Sequence, residues 1–322
     1  MGVPSASIIE TSVARDHRAP VEARRRALVL LNEHARSVDA KSIEAIDALQ
    51  SLGLDVVHAD ITTRSSVAAA VQQHSDSVDL VIAGGGDGTL NAVLQGLVGS
   101  RLPLGILPLG TANDLAKTLG IPTDLQQACD VIGQGHTRRI DIGRVNDVYF
   151  FNEASVGMSV ALCRRLTKES KSTFGIFALL LHASQIVFAM RRFRALVTLP
   201  SGEVIAARTA QLTIGNGQNF GGFVATDDAT IDDRKLDLYS VRLTTWRDYF
   251  EAMSALLRRR YDDVRSVFTL HGKRFEVKTG KRMRIEADGE IVSTTPATFE
   301  VVPGAIDVFV PAPSQPGEAG EP

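Results

Sequence analysis

The chain has 322 residues, of which 44% are hydrophobic and 22% charged, and its formal net charge is −2. This balance is typical of a globular protein, and it gives no electrostatic argument for a nucleic-acid partner. The length exceeds the commonest size of a single core, so two domains are expected. Two cysteines, Cys129 and Cys163, do not have the spacing of a metal site or a disulfide framework. This favours a protein of the cytoplasm, in which both cysteines are reduced.

The first half of the chain alternates short apolar runs with helical patterns. After a flexible N-terminal segment (residues 1–20) without the apolar core of a signal peptide, strands are predicted at residues 26–31, 54–58, 78–83 and 104–107. Helices are predicted around residues 43–52, 67–71, 90–98 and 114–119. Such alternation indicates parallel strands joined by right-handed crossovers. Residues 21–139 are therefore predicted to form a layered α/β domain.

The second half has a different pattern, in which polar and apolar residues alternate. Strands are predicted at residues 196–199, 204–214, 275–277, 283–285, 299–301 and 306–310, with helices at 174–194 and 246–257. Residues 140–311 are therefore predicted to form a β-rich, antiparallel domain, whose last strand is a candidate to return to the first domain. Residues 312–322 are predicted to be a disordered tail.

A glycine-rich loop, Gly-Gly-Gly-Asp-Gly-Thr-Leu-Asn at residues 84–91, lies where the third strand leads into a helix. Glycines at this edge of a parallel sheet let backbone amides approach a phosphate group. The loop has neither the Gly-Lys-Ser/Thr ending of a Walker A loop nor the spacing of a Rossmann fingerprint. The alternative is a tight turn in which Asp87 or Thr89 caps the helix.

A second glycine loop repeats this design one strand later, within residues 104–122. Gly110 and Thr111 offer amides and a hydroxyl group, and Asn113 and Asp114 open the next helix. Because the carboxyl ends of parallel strands meet at one edge, the two loops predict a nucleotide-binding cleft.

Together the loops resemble the diacylglycerol kinase catalytic-domain family, especially the bacterial lipid kinases of the diacylglycerol and sphingosine kinase superfamily. The first loop is also found in NAD kinases, whereas Gly-Thr-Ala-Asn-Asp-Leu-Ala at residues 110–116 is specific. Residues 140–160, 213–241 and 288–290 extend the resemblance, which covers about residues 26–311. The resemblance implies a parallel α/β domain of the NAD kinase and diacylglycerol kinase type, and a kinase that uses ATP and Mg²⁺ to phosphorylate a lipid hydroxyl.

The resemblance also implies a set of nucleotide-binding residues. In this sequence they are Asn32, Thr62, Gly85, Gly86, Asp87, Gly88, Thr89, Leu90, Asn91 and Thr111. Asp87 is in addition a candidate catalytic acid, which either orients a Mg²⁺-bound water or caps a helix. The chain departs from the family at residues 32–36, which read Asn-Glu-His-Ala-Arg where relatives have Asn-Pro-x-Ser-Gly.

The sequence Asp288-Gly289-Glu290 predicts a tight hairpin turn. The resemblance implies that this turn presents Glu290 as the general base. The alternative is that Asp288 and Gly289 only form the turn and Glu290 is solvated.

An acidic turn at residues 230–235 is the second site that the resemblance supplies. It implies a structural Mg²⁺ held by the Asp233 carboxylate and by the main-chain carbonyls of Thr230 and Lys235. The alternative is that the acidic side chains only bond the turn backbone and face water. Arg234 takes the place of a glycine that is frequent in relatives.

The expected partner is a lipid at the membrane surface, with diacylglycerol as the leading candidate and peripheral association with the membrane. The apolar residues 174–190, followed by Arg191, Arg192 and Arg194, are either a buried helix or a segment at the interface. The competing functions are a soluble NAD-kinase-like kinase and a non-catalytic nucleotide-binding regulator. The oligomeric state is left open, with a homodimer among the alternatives.

Overall fold

The computed structural model describes residues 24–31, 38–59, 63–157, 192–217, 230–241 and 267–313. Within these ranges there are sixteen strands and five helices.

The first half of the described chain is a parallel sheet with its helices. The elements are β1 (Arg26–Leu31), α1 (Val38–Ser51), β2 (Asp55–His58), α2 (Arg64–His74), β3 (Leu80–Gly85), α3 (Asp87–Leu97), β4 (Leu104–Pro108), α4 (Asp114–Thr118) and α5 (Leu125–Gln134). Neighbouring strands run in the order β2-β1-β3-β4, and all pairs are parallel. Strands β1, β3 and β4 are buried along almost their whole length, as expected for a sheet covered on both faces.

The second half is made of antiparallel strands in two sheets. The elements are β5 (Thr137–Val145), β6 (Val148–Phe150), β7 (Glu153–Gly157), β8 (Phe193–Thr198), β9 (Val204–Thr209), β10 (Gln211–Gly215), β11 (Leu236–Val241), β12 (Val267–Gly272), β13 (Arg274–Thr279), β14 (Arg284–Ala287), β15 (Glu290–Thr294) and β16 (Ala297–Phe309). One sheet continues from the parallel strands in the order β4-β16-β13-β8-β9, and the other has the order β12-β11-β10-β7-β14-β15. The predicted fold class is confirmed: a parallel α/β half is followed by an antiparallel β-rich half.

Strand β16 joins the two halves. It pairs in parallel with β4 through Val308 and Leu104, and it pairs antiparallel with β5 and β13. The sequence predicted two short strands here, at 299–301 and 306–310, whereas the structure has one strand with a shift in register between Val302 and Ile306.

Two hydrophobic cores follow from this architecture. One packs the helices against the parallel sheet and includes Leu28, Ile82 and Leu94. The other lies between the antiparallel strands and includes Phe150 and Phe275, both fully buried.

Two further predictions, one of a strand and one of a helix, were wrong in detail. Residues 204–214 are not one strand, because the chain turns at Ala210 and β9 and β10 belong to different sheets. The Thr209 hydroxyl stabilises this bend, since it accepts a hydrogen bond from the Gln211 amide at 3.2 Å and donates one to the Gln211 carbonyl at 2.6 Å. The helix predicted to end at Arg194 cannot include its last residues, because Arg194 lies in β8. The rest of that helix and the one at 246–257 lie outside the described residues.

Candidate active site

The two glycine loops touch each other at the carboxyl edge of the parallel sheet. Strands β3 and β4 end as a pair at Gly85 and Pro108. The amides of Leu109 and Gly110 then both donate to the Gly85 carbonyl, at 3.1 and 3.2 Å. A Cβ atom on Gly110 would lie 2.3 Å from the Gly86 Cα, so a larger residue at position 110 would force the loops apart. Glycine is therefore needed at position 110 for the loops to meet.

Asp87 links the first loop to the helix of the second. Its Oδ1 accepts hydrogen bonds from the Asp114 amide at 2.9 Å and from the Leu115 amide at 3.4 Å. The carboxylate therefore caps α4 and not the helix α3 to which Asp87 itself belongs. Helix α3 begins after Gly86 without a capping side chain, and its Thr89 amide donates to the Gly86 carbonyl at 2.9 Å, so it is the amides of Asp87 and Gly88 that have no acceptor within the helix. Such a helix terminus favours an anion.

Asn113 holds the second loop in shape, a role that the sequence analysis did not assign. Its backbone is left-handed, with φ +51°. Its side-chain oxygen accepts from the Gly110 amide at 3.0 Å, and its Nδ2 donates to the carbonyls of Gly110 at 2.9 Å and Pro108 at 3.2 Å. The signal available in the sequence was the residue type, because asparagine tolerates left-handed backbone better than most residues.

The other predicted nucleotide-binding residues differ in their exposure to solvent. Thr111 is exposed next to Gly110, whereas Thr89 is buried against Gly85. Leu90 is 1% exposed, and its amide donates to the Gly86 carbonyl at 3.2 Å. Leu90 therefore packs in the core beneath the loop. The remaining two, Asn32 and Thr62, lie outside the described residues.

The turn between β14 and β15 is anchored by Asp288. Its backbone φ is +45° and that of Gly289 is +89°, as in the tight hairpin turn that the sequence predicted. The Asp288 carboxylate accepts three backbone hydrogen bonds, from Phe151 at 2.7 Å, Asn152 at 3.0 Å and Glu153 at 3.1 Å. Burial raises the pKa of Asp288, and the hydrogen bonds that the carboxylate accepts oppose this rise.

Asn91 connects this turn to the glycine loop. It lies on α3, and its buried side-chain amide donates to Asp288 Oδ2 at 2.9 Å. Glu290, the candidate base, is half-buried at the start of β15, where it pairs with Ala287 across the turn. The structure therefore ties the turn that carries Glu290 to the helix that begins at the glycine loop. The site role of Asp288 was missed because nothing in the sequence joins residues so far apart.

The acidic turn brings together the residues predicted to hold the structural metal. The Asp233 amide donates to the Thr230 carbonyl at 3.4 Å, and the Lys235 amide donates to Asp233 Oδ1 at 2.9 Å. Burial and the nearby negative charge of Asp237 raise the pKa of Asp233, although the backbone amides of the turn oppose the rise. A half-buried carboxylate in a turn with main-chain carbonyls is a set of oxygen ligands that fits a small cation. Among the described residues, no three His, Cys, Asp or Glu side chains form a metal-binding group.

Arg234 adopts the conformation expected of the glycine that it replaces. Its φ is +63°, and its amide donates to Asp141 Oδ2 at 2.6 Å. Asp141 is 2% exposed, and its other oxygen accepts from the Gly304 amide at 2.7 Å. The buried Asp141 therefore joins the acidic turn to β16 and holds Arg234 in a left-handed conformation.

Replacing Arg234 with glycine is expected to stabilise the protein. Relief of the left-handed strain, about 1–2 kcal/mol, outweighs the roughly 0.5–1 kcal/mol of added unfolded-state entropy. The free energy of unfolding in urea should rise by about 0.5–1 kcal/mol, with Arg234→Ala as the control that removes the guanidinium and keeps the strain. A glycine variant no more stable than the alanine variant would contradict this account of the turn.

Glycine loops joined at the edge of a parallel sheet, beside a carboxylate-bearing turn of an antiparallel sheet, define a phosphotransferase of the NAD kinase and diacylglycerol kinase fold class. A family model described as the diacylglycerol kinase catalytic domain matches residues 26–145. A second, described as the YegS C-terminal NAD kinase beta sandwich-like domain, matches residues 153–310.

Similar proteins agree with the family models. A diacylglycerol kinase from Staphylococcus saprophyticus is 30% identical over 245 residues, which are 75% of this chain and 80% of that protein. An uncharacterized protein from Synechocystis is 30% identical over 251 residues, 74% of this chain but 57% of the relative. The chain therefore belongs to the diacylglycerol kinase catalytic-domain family, a family of kinases.

Solved structures share the fold. A diacylglycerol kinase from Bacillus anthracis superposes with a TM-score of 0.72 at 22% identity, over 89% of this chain and 97% of that one. Yeast NADH kinase has a TM-score of 0.52 at 10% identity, over 90% of this chain and 84% of that one.

In the ranges that the structure describes, no helix is both long and apolar enough to cross a bilayer.

Proposed function

We propose that the protein is an ATP- and Mg²⁺-dependent kinase that phosphorylates the hydroxyl group of a membrane lipid, with diacylglycerol as the leading acceptor. The observation that carries this proposal is the link from the glycine loop to the Glu290 turn through Asn91 and Asp288. The diacylglycerol kinase names of relatives such as the Staphylococcus saprophyticus protein support the choice of acceptor.

ATP binds with its phosphates against the first turn of α3. The amides of Asp87 and Gly88 meet the negative charge there, and the exposed Thr111 supplies a hydroxyl group from the second loop. Asp87 keeps the two loops in register through its bonds to α4, so the phosphate-binding backbone is rigid before the nucleotide arrives.

Glu290 accepts the proton of the lipid hydroxyl during transfer. The lipid oxygen forms a bond to the γ-phosphorus, the bond from this phosphorus to the β–γ bridging oxygen breaks, and ADP leaves. Asp288 fixes the turn through its three backbone hydrogen bonds, so Glu290 does not need to be ordered during the reaction.

Magnesium supplies charge neutralisation in a reaction of this class. A second, structural Mg²⁺ would be held by the Asp233 carboxylate with the carbonyls of Thr230 and Lys235. Its charge would offset the mutual repulsion of the Asp233 and Asp237 carboxylates.

The acceptor is identified by incubating the protein with Mg²⁺, ATP and a panel of acceptors, and by following ADP release. Diacylglycerol, ceramide, a sphingoid base and phosphatidylglycerol are presented in mixed micelles, and NAD⁺ is presented in solution. ADP release that depends on a lipid supports the proposal. Release that depends on NAD⁺ alone favours the soluble kinase, and no release with any acceptor favours a nucleotide-binding regulator.

Gly86→Val is expected to weaken ATP binding by roughly 100-fold without unfolding the protein. A Cβ atom at Gly86 meets only the Gly110 Cα, at 3.3 Å, so the loops can accommodate it, but the side chain blocks the approach of phosphate. Loss of two charge-assisted hydrogen bonds costs about 3 kcal/mol, or roughly 100-fold in affinity by calorimetry. The control is Gly280→Val, at an exposed glycine with no atom near its added Cβ. Equal ATP affinity in both variants would remove the loop from the nucleotide site.

We also propose peripheral, partly electrostatic association with membranes. Exposed Arg194 on β8 lies directly opposite exposed Arg208 on β9, which concentrates positive charge at one edge of the sheet. Neutralising both with glutamine should weaken binding to anionic vesicles by about 2 kcal/mol, roughly 30-fold, at about 1 kcal/mol per charge. Co-sedimentation with phosphatidylserine vesicles measures the effect, and phosphatidylcholine vesicles are the control. Unchanged binding, or binding that salt does not weaken, would contradict the electrostatic component.

A further inference from the structure

Two residues of helix α3 with side-chain amides, Asn91 and Gln95, lie on the same face of the helix. Asn91 and Gln95 are four residues apart, so they lie one turn above the other. Asn91 donates to Asp288, as described above. Gln95 forms hydrogen bonds with the backbone of Tyr149 on β6, in the β-rich half.

The contact between Gln95 and Tyr149 resembles the pairing of two strands. Gln95 Nε2 donates to the Tyr149 carbonyl at 2.8 Å, and the Tyr149 amide donates to Gln95 Oε1 at 3.1 Å. Both backbone hydrogen-bonding groups of Tyr149 are therefore bonded to one side chain. A carboxylate in place of this amide could accept from the Tyr149 amide but could not donate to its carbonyl.

Residues 149–153 are held from two sides. Gln95 holds their start at Tyr149, and Asp288 holds their end through the amides of Phe151, Asn152 and Glu153. The Asp288 amide in turn donates to the Glu153 carbonyl at 2.9 Å. Displacement of this segment relative to α3 would therefore move the Asp288 turn with it.

Helix α3 contacts both the glycine loop that would bind ATP and the turn that carries the candidate base, Glu290. Its first turn follows the glycine loop, and its later residues Asn91 and Gln95 hold the turn of Glu290. The helix is about 16 Å long, so the two groups are fixed on one rigid element.

We propose that Gln95 is a positioning residue, which acts through residues 149–153 and Asp288 to hold Glu290 at the correct distance from the nucleotide. This inference rests on the proposed kinase function. It assigns Gln95 no contact with ATP or lipid. Loss of Gln95 should therefore impair phosphoryl transfer while nucleotide binding at the glycine loop is preserved.

The test compares kcat, lipid KM and ATP affinity of Gln95→Ala, Gln95→Glu and wild type. The control is Gln134→Ala, at an exposed glutamine that ends α5. Gln95→Ala is expected to lower kcat about 10- to 100-fold, as for a misplacement of about 1 Å, with the calorimetric ATP Kd within about twofold of wild type. Circular dichroism confirms that each variant is folded.

The Gln95→Glu variant separates positioning by this hydrogen bond from a general loss of packing. Its kcat relative to wild type should be low at pH 8 and rise several-fold towards pH 5, because a glutamate side chain gains a proton near its pKa of about 4.3 and can then donate to the Tyr149 carbonyl. A purely structural role would not give this pH-dependent ratio.

Three results would overturn the inference. A Gln95→Ala kcat within twofold of that of Gln134→Ala would show that Gln95 does not position the base. An equal loss of ATP affinity and kcat would show that it acts on the glycine loop. In both cases wild type still phosphorylates a lipid, so the proposed function survives. Wild type that transfers phosphate to no lipid would remove the proposed function and this inference together.

Discussion

Glu290→Gln is expected to lower kcat by about 100- to 10,000-fold while ATP affinity stays unchanged. A lipid alcohol is a poor nucleophile at neutral pH, and a positioned general base contributes a factor of this size. Glutamine keeps the size of the side chain but cannot take the proton. The turn should survive, because Asp288 holds it and Glu290 only begins the strand after it. Steady-state turnover at saturating ATP, Mg²⁺ and lipid measures the effect.

The matched control is Glu203→Gln, at an exposed glutamate in the hairpin between β8 and β9. It removes the same charge away from the site and should leave kcat within about twofold. A Glu290→Gln variant that turns over like this control, with chemistry rate-limiting, would exclude Glu290 as the base. Asp87 would then remain as the other candidate acid near the glycine loop.

Asp288→Asn is expected to lower the free energy of unfolding by about 3 kcal/mol or more. Both carboxylate oxygens accept hydrogen bonds, Oδ1 from Asn152 and Glu153, and Oδ2 from Phe151 and Asn91. An asparagine side chain has one oxygen, so its NH₂ group would face two donors. Losing two hydrogen bonds to a charged group costs about 1.5–3 kcal/mol each.

Urea unfolding measures this change, and Asp147→Asn is the control. Asp147 is also a turn aspartate, between β5 and β6, but its side chain is exposed. Its replacement should change the stability by less than about 0.5 kcal/mol. If the Asp288 and Asp147 variants unfolded at the same urea concentration, the hydrogen bonds to Asp288 would not hold the turn as described.

The parallel half of the fold was predictable because its signals are local. Buried strands such as β3 are continuous apolar runs in the sequence, and β3 and β4 are each followed by a glycine-bearing loop and a helical pattern. The joining of the two glycine loops also followed from topology, since neighbouring parallel strands end at the same edge. Strand β10 shows the limit, because alternation continues through Ala210 and gives no sign that the chain changes sheet there.

The candidate site was less predictable where it depends on contacts distant in sequence. Asp288 reads as a turn residue, and its role as an anchor appears only when residues 151–153 fold beside it. Asp87 was expected to orient a Mg²⁺-bound water or to cap the helix of its own loop, whereas its carboxylate caps the helix of the second loop. A carboxylate can accept hydrogen bonds from any nearby backbone amide, and the tertiary structure decides which amides are close enough.

We propose above that the joined glycine loops and the Glu290 turn form one active site that transfers phosphate to a lipid. The most direct test gives the wild type and Glu290→Gln ATP labelled at the γ-phosphate, Mg²⁺ and diacylglycerol in mixed micelles, then extracts and identifies the labelled lipid. We expect labelled phosphatidic acid with wild type, and at least about 100-fold less with Glu290→Gln at equal ATP occupancy. Label that stays in ATP or inorganic phosphate with wild type, or equal labelled lipid from both proteins, would contradict the proposed active site.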